Sequence, residues 1–379
     1  MLTSIGKKII LLFLSAGAAG LGFWVFNTSQ EKRQIASVQP SETAIQASPN
    51  NNETDTATPD GSSTSSVEEQ GQPASENSSS SQAVEGNERF VVALNSGTID
   101  QAADSLLEQG FIKDKAGFIK AFGAEEGEMI NPGGYKLSKD MSAAQIARVL
   151  RNKPYMKWIV IPEGLRKEEI AELLANALGW TSGQKEKWIN TYTAAESDYV
   201  EGVYFPDTYL IPVDEEPLDT AQRLQAKFNE KFAVFLPKFN SQNIKWTTGL
   251  AFASIVQREA ANASDMPLIA GILWNRLDKN MALNVDATLQ YVRGNAGKGW
   301  WAPISVADKQ TDSPYNTYLN KGLPPHPICN PGISAIEATL DPVQTDCLYY
   351  LHDANRAIHC AKTYEEHQAN IEKYLKTAD

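Results

Sequence analysis

The sequence contains few of the residues that bind metals or serve as protein nucleophiles. Its 379 residues include four histidines and three cysteines, the latter at positions 329, 347 and 360. No two cysteines form a CxxC pair, and the histidines are too irregularly spaced to be read as zinc ligands. Neither a Ser-His-Asp nor a Cys-His arrangement is evident. These absences predict no metal and no organic cofactor, and they disfavour a protease or an amidase.

Basic residues are also scarce relative to acidic ones. The chain has 34 lysines and arginines against 46 aspartates and glutamates, which gives a formal net charge of -12. Binding to nucleic acid depends on a basic face that neutralises phosphates, so nucleic acid is not expected as a partner. A carbohydrate is compatible with this charge, because sugars are bound mainly through hydrogen bonds and aromatic stacking.

One long hydrophobic run is present, at residues 9–26, directly after Lys7 and Lys8. Eighteen apolar or small residues are enough to cross a bilayer as a helix. A cleaved signal peptide is the alternative, but cleavage near residues 16–18 would leave an exposed apolar end, LGFWVF. The run therefore predicts an uncleaved single-pass anchor. Residues 1–8 would be cytoplasmic and the rest extracytoplasmic, although Lys32 and Arg33 weaken the charge asymmetry.

Residues 27–89 contain no phenylalanine, tryptophan or tyrosine and are rich in serine, threonine, glutamine, asparagine and glutamate. Such a segment cannot bury enough apolar surface to offset the entropy lost on ordering. We interpret it as a disordered linker. Its function would be reach, because it would let a folded domain act at a distance from the membrane.

Two copies of a strand–turn–helix pattern follow, at 90–153 and 154–198. In each copy an apolar strand (90–94 or 159–161) precedes a glycine, Gly97 or Gly164, and apolar residues recur six, nine and ten positions after it. These copies predict two small α+β modules that resemble LysM modules, which bind glycan chains. The alternative is a pair of spacer modules with ordinary cores.

The segment 247–261, TTGLAFASIVQREAA, predicts a helix capped by Thr247 or Thr248. Spacings of three and four place Glu259 on the same helical face as three apolar residues, Phe252, Ile255 and Val256. A carboxyl group in apolar surroundings has a raised pKa, which suits general acid catalysis. The alternative is that the helix ends near Ala261 and leaves Glu259 in a solvated last turn.

Two later segments carry polar side chains that could contact a ligand. Residues 282–291, ALNVDATLQY, are expected to be extended, with Asp286, Thr288 and Gln290 as candidate contacts. Residues 313–332 hold five prolines and two glycines, which predicts a stiff loop. That loop presents Tyr315 and Asn316, whose ring and amide suit sugar stacking and N-acetyl recognition. A proline-rich cover over the core is the alternative.

Cys347 and Cys360 flank the run LYYLHDANRAIH, which predicts a β-hairpin with its turn at 353–355. A hairpin would bring the two cysteines together. The sequence leaves two alternatives for them, a disulfide or a pair of reduced, buried thiols. Cys329 would be left without a partner.

Several motifs taken together resemble the YceG-like (MltG) family of endolytic murein transglycosylases, over roughly residue 90 to the C-terminus. They are YFPDTY (204–209), ASIVQREA (253–260), ILWNRL (272–277), DATLQY (286–291), SPYNTYLNKGLPP (313–325), NPG (330–332) and TYEEH (363–367). Their order and spacing agree with the family. The chain has Gln257 where the family often has a second glutamate, Cys360 in place of an aromatic, and His326 in place of a small residue. His326 would alter the rim of the cleft.

The resemblance implies an α+β catalytic domain at 199–379, with Glu259 as the catalytic acid. The implied reaction cuts the β-1,4 bond between N-acetylmuramic acid and N-acetylglucosamine within nascent glycan strands and leaves a 1,6-anhydro end. Strand elongation would stop there. Peptidoglycan strands are the implied partners, together with wall-synthesising enzymes. Tyr315, Asn316, Gln290, Asp286 and Thr288 are the expected substrate contacts.

Two alternatives to the lytic reaction are compatible with the residues. A glycan hydrolase would need a second carboxylate, for which Asp286 and Glu201 are candidates. A non-catalytic, membrane-anchored wall-binding protein would need no acid at position 259.

Overall fold

The computed structural model of the protein describes residues 90–95, 97–123, 127–193 and 201–376. They form two compact units, each built from separate stretches of chain. The smaller unit contains Ile99–Glu128 and Lys136–Val149, and the larger contains Ala93–Thr98, Met129–Tyr135 and the chain from Leu150 onward. The predicted anchor and linker lie outside the described residues. Within the part that is described, no helix is long and apolar enough to cross a membrane.

The first helices begin and end where local signals predict. Asp114 caps the second helix by accepting hydrogen bonds from the backbone of Ala116 and Gly117, and Ser142 accepts one from the Gln145 amide at the start of the third. Gly110, at a φ of 73°, follows the end of the first helix. The helices are α1 (Ile99–Glu108), α2 (Lys115–Phe122) and α3 (Ala143–Arg151).

A four-stranded sheet has the strand order β1-β4-β5-β6. In it β5 pairs antiparallel with β6, so that Trp158 lies opposite Leu210. At Gly133 a Cβ atom would lie 2.3 Å from the Met156 carbonyl, so the sheet needs glycine there. The strands expected at 90–94 and near 159–161 are confirmed. The sheet strands are β1 (Phe90–Leu94), β4 (Gly133–Leu137), β5 (Met156–Val160) and β6 (Thr208–Pro212), and a separate pair consists of β2 (Gly97–Thr98) and β3 (Met129–Ile130).

Helices dominate the larger unit. A π-helical turn at Trp188–Tyr192 and 3-10 turns at Ala233–Phe235 and Asp308–Gln310 accompany them. The helices are α4 (Lys167–Leu178), α5 (Ser182–Lys187), α6 (Pro217–Phe232), α7 (Leu236–Ser241), α8 (Trp246–Glu259), α9 (Met266–Asp278), α10 (Asp286–Arg293), α11 (Ile333–Leu340) and α12 (Tyr364–Tyr374).

Helix α8 runs through the core of the larger unit. Every residue from Gly249 to Val256 is buried. Phe252 stacks on Trp274 of α9 with ring centroids 4.1 Å apart. A Cβ at Gly249 would lie 2.1 Å from the Phe239 ring, so the absence of a side chain there allows α7 to approach closely. These contacts hold α8 in place, and they therefore fix the position of Glu259, its last residue.

Two sequence-based expectations about local structure are wrong. Residues 286–293 form helix α10 rather than an extended segment. Asp286 suits the positive N-terminal end of that helix, and the Thr288 hydroxyl donates back to the Val285 carbonyl at 2.7 Å. Helix α8 begins one residue before the expected threonine caps, with Lys245 as an N-cap that makes no side-chain hydrogen bond.

The predicted hairpin is confirmed as β7 (Tyr349–His352) and β8 (Ile358–Ala361), with Tyr350 opposite Cys360. Asp353 accepts hydrogen bonds from the amides of Asn355 and Ala357 and so closes the turn. Of the two open alternatives for the cysteines, the structure has the disulfide Cys347–Cys360, with Cα atoms 5.9 Å apart. Cys329 is a buried free thiol.

Candidate active site

Glu259 is the last residue of α8, and Ala260 already has extended backbone. Its side chain is partly buried. Burial raises the pKa of Glu259, because loss of water disfavours the carboxylate. The C-terminal end of a helix also carries partial negative charge, which acts in the same direction. The alternative of a fully solvated last turn is therefore wrong: this carboxyl group is set up to hold a proton.

Tyr350 contacts Glu259 directly from strand β7. Its Oη donates a hydrogen bond to Glu259 Oε2 at 2.6 Å, which opposes the effect of burial on the pKa of Glu259. The charge of Asp286 raises that pKa, and the charges of Arg258 and Arg276 lower it. Sequence reasoning missed Tyr350, since it follows Glu259 by 91 positions and no local spacing connects the two.

Asp286 is the predicted contact residue that the structure brings to Glu259. Its carboxylate is exposed at the first turn of α10 and accepts a hydrogen bond from the Tyr318 hydroxyl. Burial, followed by this hydrogen bond and the charges of Asp286 and Glu259, raises the pKa of Tyr318. An acid, a second carboxylate and two tyrosine hydroxyls therefore cluster at the end of α8.

The other predicted contacts hold the local structure together. Thr288 is fully buried, with its hydroxyl 3.0 Å from that of Thr317. Asn316 is fully buried too, and its amide bonds four backbone groups of the 309–319 segment. Gln290 donates to the carbonyls of Trp301 and Ala302. These three side chains are thus engaged in shaping loops.

Tyr315 lies among aromatic and cationic side chains. Its ring centroid is 5.1 Å from that of Tyr291 and its side chain is partly buried. Arg166 lies over the Tyr291 ring at 4.4 Å and over the Trp300 ring at 4.7 Å. A guanidinium that contacts two rings fixes the orientation of both. This cluster orders the 300–302 loop against the start of α4.

Asn330, from the NPG motif, links three distant segments. It is fully buried; its Oδ1 accepts from the Tyr204 amide at 2.8 Å, and its Nδ2 donates to the Leu165 carbonyl and to Glu201. Glu201 in turn accepts from the Lys167 amide at the start of α4. The carboxyl group of Glu201 therefore caps a helix and is shielded from solvent.

His326 lies away from Glu259, contrary to the expectation that it alters the rim of the cleft. It lines a separate cavity of about 290 Å³, together with Lys245, Trp246 and Leu323. The α8 residues that line this cavity belong to the first two turns of the helix. Glu259 is at the opposite end, so His326 is not part of the cluster around the acid.

In the described part of the chain, no group of three or more histidine, cysteine, aspartate or glutamate side chains is arranged to hold a metal ion. The residues around Glu259 offer proton transfer and hydrogen bonding as their chemistry.

The fold and the acid at the end of α8 define a chain of the YceG-like family, whose profile matches residues 92–373. The protein belongs to that family. A relative from Bacillus subtilis (strain 168), named endolytic murein transglycosylase, is 30% identical over 78% of this chain and 88% of its own length. Two proteins of the same name from Streptococcus pneumoniae strains R6 and D39 are 26% identical over 71% of this chain.

The alignment spans 56% of the length of those streptococcal relatives. A crystal structure of a YceG-like protein from Listeria monocytogenes is similar as well, with 27% sequence identity and a TM-score of 0.54. The match covers 74% of this chain and 98% of the Listeria chain, so the two share a fold over most of the described region.

Proposed function

We propose that this protein is an endolytic murein transglycosylase with Glu259 as its catalytic acid. The observation that carries the proposal is the partly buried carboxyl group of Glu259 at the end of α8, with its raised pKa. Membership of the YceG-like family and the names of the relatives supply the substrate class. The substrate is the glycan strand of peptidoglycan, and the reaction ends strand elongation.

In the first step protonated Glu259 donates its proton to the glycosidic oxygen between N-acetylmuramic acid and N-acetylglucosamine. The bond between the muramic anomeric carbon and that oxygen then breaks, and N-acetylglucosamine leaves with its 4-hydroxyl restored. A carboxyl group with a raised pKa is suited to this step, because it holds its proton to a higher pH than an ordinary glutamate does.

In the second step the Glu259 carboxylate accepts the proton of the muramic 6-hydroxyl. The 6-oxygen attacks the anomeric carbon and closes a 1,6-anhydro ring. Glu259 ends the cycle protonated, so no water is consumed and one carboxyl group serves both steps. Most glycosidases instead divide these roles between two carboxyl groups at a set separation.

One observation favours a glycan hydrolase as the second candidate. Asp286 is exposed and close enough for its charge to raise the pKa of Glu259. A carboxylate in that position is able to activate water. Glu201, the other carboxylate considered, is 1% exposed and bound to a helix N-terminus and Asn330, which argues against a role in hydrolysis.

The test is mass spectrometry of the products from purified glycan strands, treated with the full-length protein or with Glu259→Gln. We expect internal cuts with 1,6-anhydro ends from the parent and at least a hundredfold less product from the variant. Reducing ends would make the protein a hydrolase, and Asp286→Asn would then be inactive. Strand binding without cleavage by either protein would favour a non-catalytic wall-binding role.

The proposal extends to the cell envelope. Residues 9–26 would anchor the protein in the membrane, residues 27–89 would serve as the linker, and the catalytic domain would be extracytoplasmic. The Cys347–Cys360 disulfide supports this placement, since such bonds persist in oxidising compartments. Wall-synthesising enzymes are proposed partners, because a strand-terminating enzyme must meet nascent strands.

We further propose that residues 90–153 form a LysM-like glycan-binding module and that 154–198 form a second strand–helix module before the catalytic domain at 199–379. The succession of β1 to α1 and of β5 to α4 supports the repeat. A module that binds glycan would retain a strand between cuts.

A further inference from the structure

We propose that Tyr350 is a positioning residue for Glu259, and that its hydroxyl determines which carboxyl oxygen exchanges a proton with the substrate. This inference rests on the proposed lytic function. It assigns to a strand of the C-terminal hairpin a role in the reaction, in addition to its place in the fold.

The geometry distinguishes the two oxygens of the carboxyl group. Tyr350 Oη donates to Glu259 Oε2 at 2.6 Å. Across the described residues, no hydrogen bond to Glu259 Oε1 accompanies it. The carbonyl oxygen of a neutral carboxyl group is its better acceptor, so a hydrogen bond accepted at Oε2 favours the proton on Oε1. Oε1 is therefore the atom that donates the proton in the first step and recovers one in the second.

The position of Tyr350 is itself tightly fixed. Tyr350 pairs with Cys360 across the hairpin, and Cys360 forms a disulfide with Cys347 just before β7. Asn275 on α9 donates to the carbonyls of Thr345 and Cys347, at 2.6 and 3.2 Å. The Tyr350 ring packs against the core of the larger unit. The hydroxyl is thus presented from a strand that is tied to α9 and to its own partner strand.

The hydrogen bond changes in strength during the cycle. While Glu259 is neutral, a phenol donates to a carboxyl oxygen; once Glu259 has lost its proton, the same bond is charge-assisted and stronger. Tyr350 therefore stabilises the carboxylate that exists between the two steps. The charged and titratable groups around this carboxylate are Asp286 on α10, Arg258 on α8, Arg276 on α9 and Tyr318 in the 313–332 loop.

The test compares Tyr350→Phe with Tyr349→Phe in the full-length protein. Tyr349 is the adjacent residue on β7, and its ring packs near Tyr364 and His367. For Tyr350→Phe we expect kcat to fall roughly 10- to 100-fold with KM nearly unchanged, as for loss of one hydrogen bond to a charged group. The alkaline limb of the pH–rate profile should move to higher pH, because the carboxylate loses a donor. Tyr349→Phe should change neither.

Equal kcat and equal pH profiles for the two variants would overturn the role of Tyr350 while leaving the lytic function intact. If the parent makes no anhydro product, the proposed function fails separately. In that case the contact between Tyr350 and Glu259 can still be tested by carbon-13 NMR of protein labelled at its glutamate carboxyl groups. The Glu259 signal is assigned by its loss in Glu259→Gln. An upward shift of the Glu259 pKa in Tyr350→Phe supports the contact, and an unchanged pKa contradicts it.

Discussion

At the scale of single residues, Glu259 and Glu201 show how different surroundings give two glutamates with raised pKa values different roles. Burial raises the pKa of both. Glu201 is buried, and its carboxyl group is bonded to the Lys167 amide and to Asn330. Glu259 is at a helix end beside an exposed carboxylate, Asp286, and is hydrogen-bonded through one oxygen. The raised pKa of either group affects stability, but only the setting of Glu259 supports the proposed role in catalysis.

The role of Glu201 leads to a prediction about stability. Burial, followed by the charge of Glu168, raises its pKa from 4.5 to about 8. Between those values the folded chain holds a proton that the unfolded chain has released, so the free energy of unfolding falls as pH rises through this window. We expect a loss on the order of 3 kcal/mol from pH 5 to pH 8. Glu201→Gln, which does not titrate, should remove most of that dependence in denaturant titrations.

The control for this prediction is Glu172→Gln, on the exposed face of α4, the helix whose start Glu201 caps. It should keep the pH dependence of the parent. If Glu201→Gln and the parent lose stability equally over this range, Glu201 does not carry a proton in the folded state at neutral pH.

Local spacing was enough to predict the apolar stripe that carries Glu259, because a helix places residues three and four apart on one face. It was not enough to identify the partner, since Tyr350 meets Glu259 only through tertiary packing. Asn330 was missed as a linking residue for the same reason, although its motif was noticed. Polar residues such as Asn316 and Thr288 suggested contact with substrate, but the burial that gives them structural roles is not visible in sequence.

At the scale of elements, the segment 286–293 shows how period-two alternation misleads. Leu283, Val285, Ala287 and Leu289 are all buried and alternate with polar residues, as in a strand. The chain nevertheless enters a helix at Asp286, because the hydroxyl of Thr288 and the charge of Asp286 both favour a helix N-terminus there. Short segments satisfy both periods, so the sequence alone did not decide between them.

The hairpin element gives a prediction about its disulfide. Cys347 and Cys360 are 13 positions apart, and a loop of that size is typically stabilised by about 2–3 kcal/mol through cross-linking. The double variant Cys347→Ser/Cys360→Ser should lose about that much unfolding free energy. Its kcat should also fall, since Tyr350 lies directly opposite Cys360. Denaturant titration and product mass spectrometry measure the two effects.

Reduction with dithiothreitol should reproduce both losses in the parent and add nothing in the double variant. Full activity in the reduced parent would show that strand pairing and the bonds from Asn275 hold Tyr350 without the cross-link.

At the scale of the whole molecule, the chain alternates between its two compact units. Residues 93–98, 129–135 and those from 150 onward belong to the larger unit, and residues 99–128 and 136–149 belong to the smaller. Periodicity and composition describe only residues that are near each other in sequence. They therefore cannot predict which distant stretches of the chain pack into the same unit. The α+β character of the fold was nevertheless predictable, since single strands and helices follow local patterns.

A core substitution in the smaller unit tests the division of labour proposed for the molecule. Leu106 on α1 is fully buried, so Leu106→Ala should destabilise that unit by about 2–5 kcal/mol. Glu259, Tyr350 and Asp286 all belong to the larger unit. We therefore expect KM for long glycan strands to rise several-fold while kcat is retained, as steady-state assays with strands of graded length can measure. The exposed neighbour substitution Leu107→Ala serves as the control, and an equal fall in kcat for Leu106→Ala would contradict the division.

The bonds of Asn330 have a consequence for how the protein is made. They join positions separated by 126, 129 and 165 residues. Tyr350 and Glu259, which are also hydrogen-bonded, are 91 positions apart. Such distant pairings form late, because the intervening chain must first be ordered. A polypeptide that emerges from its N-terminus therefore cannot bring Tyr350 to Glu259 until residue 350 has been made. Under the proposed function, cleavage of the wall waits for synthesis of the hairpin that carries Tyr350.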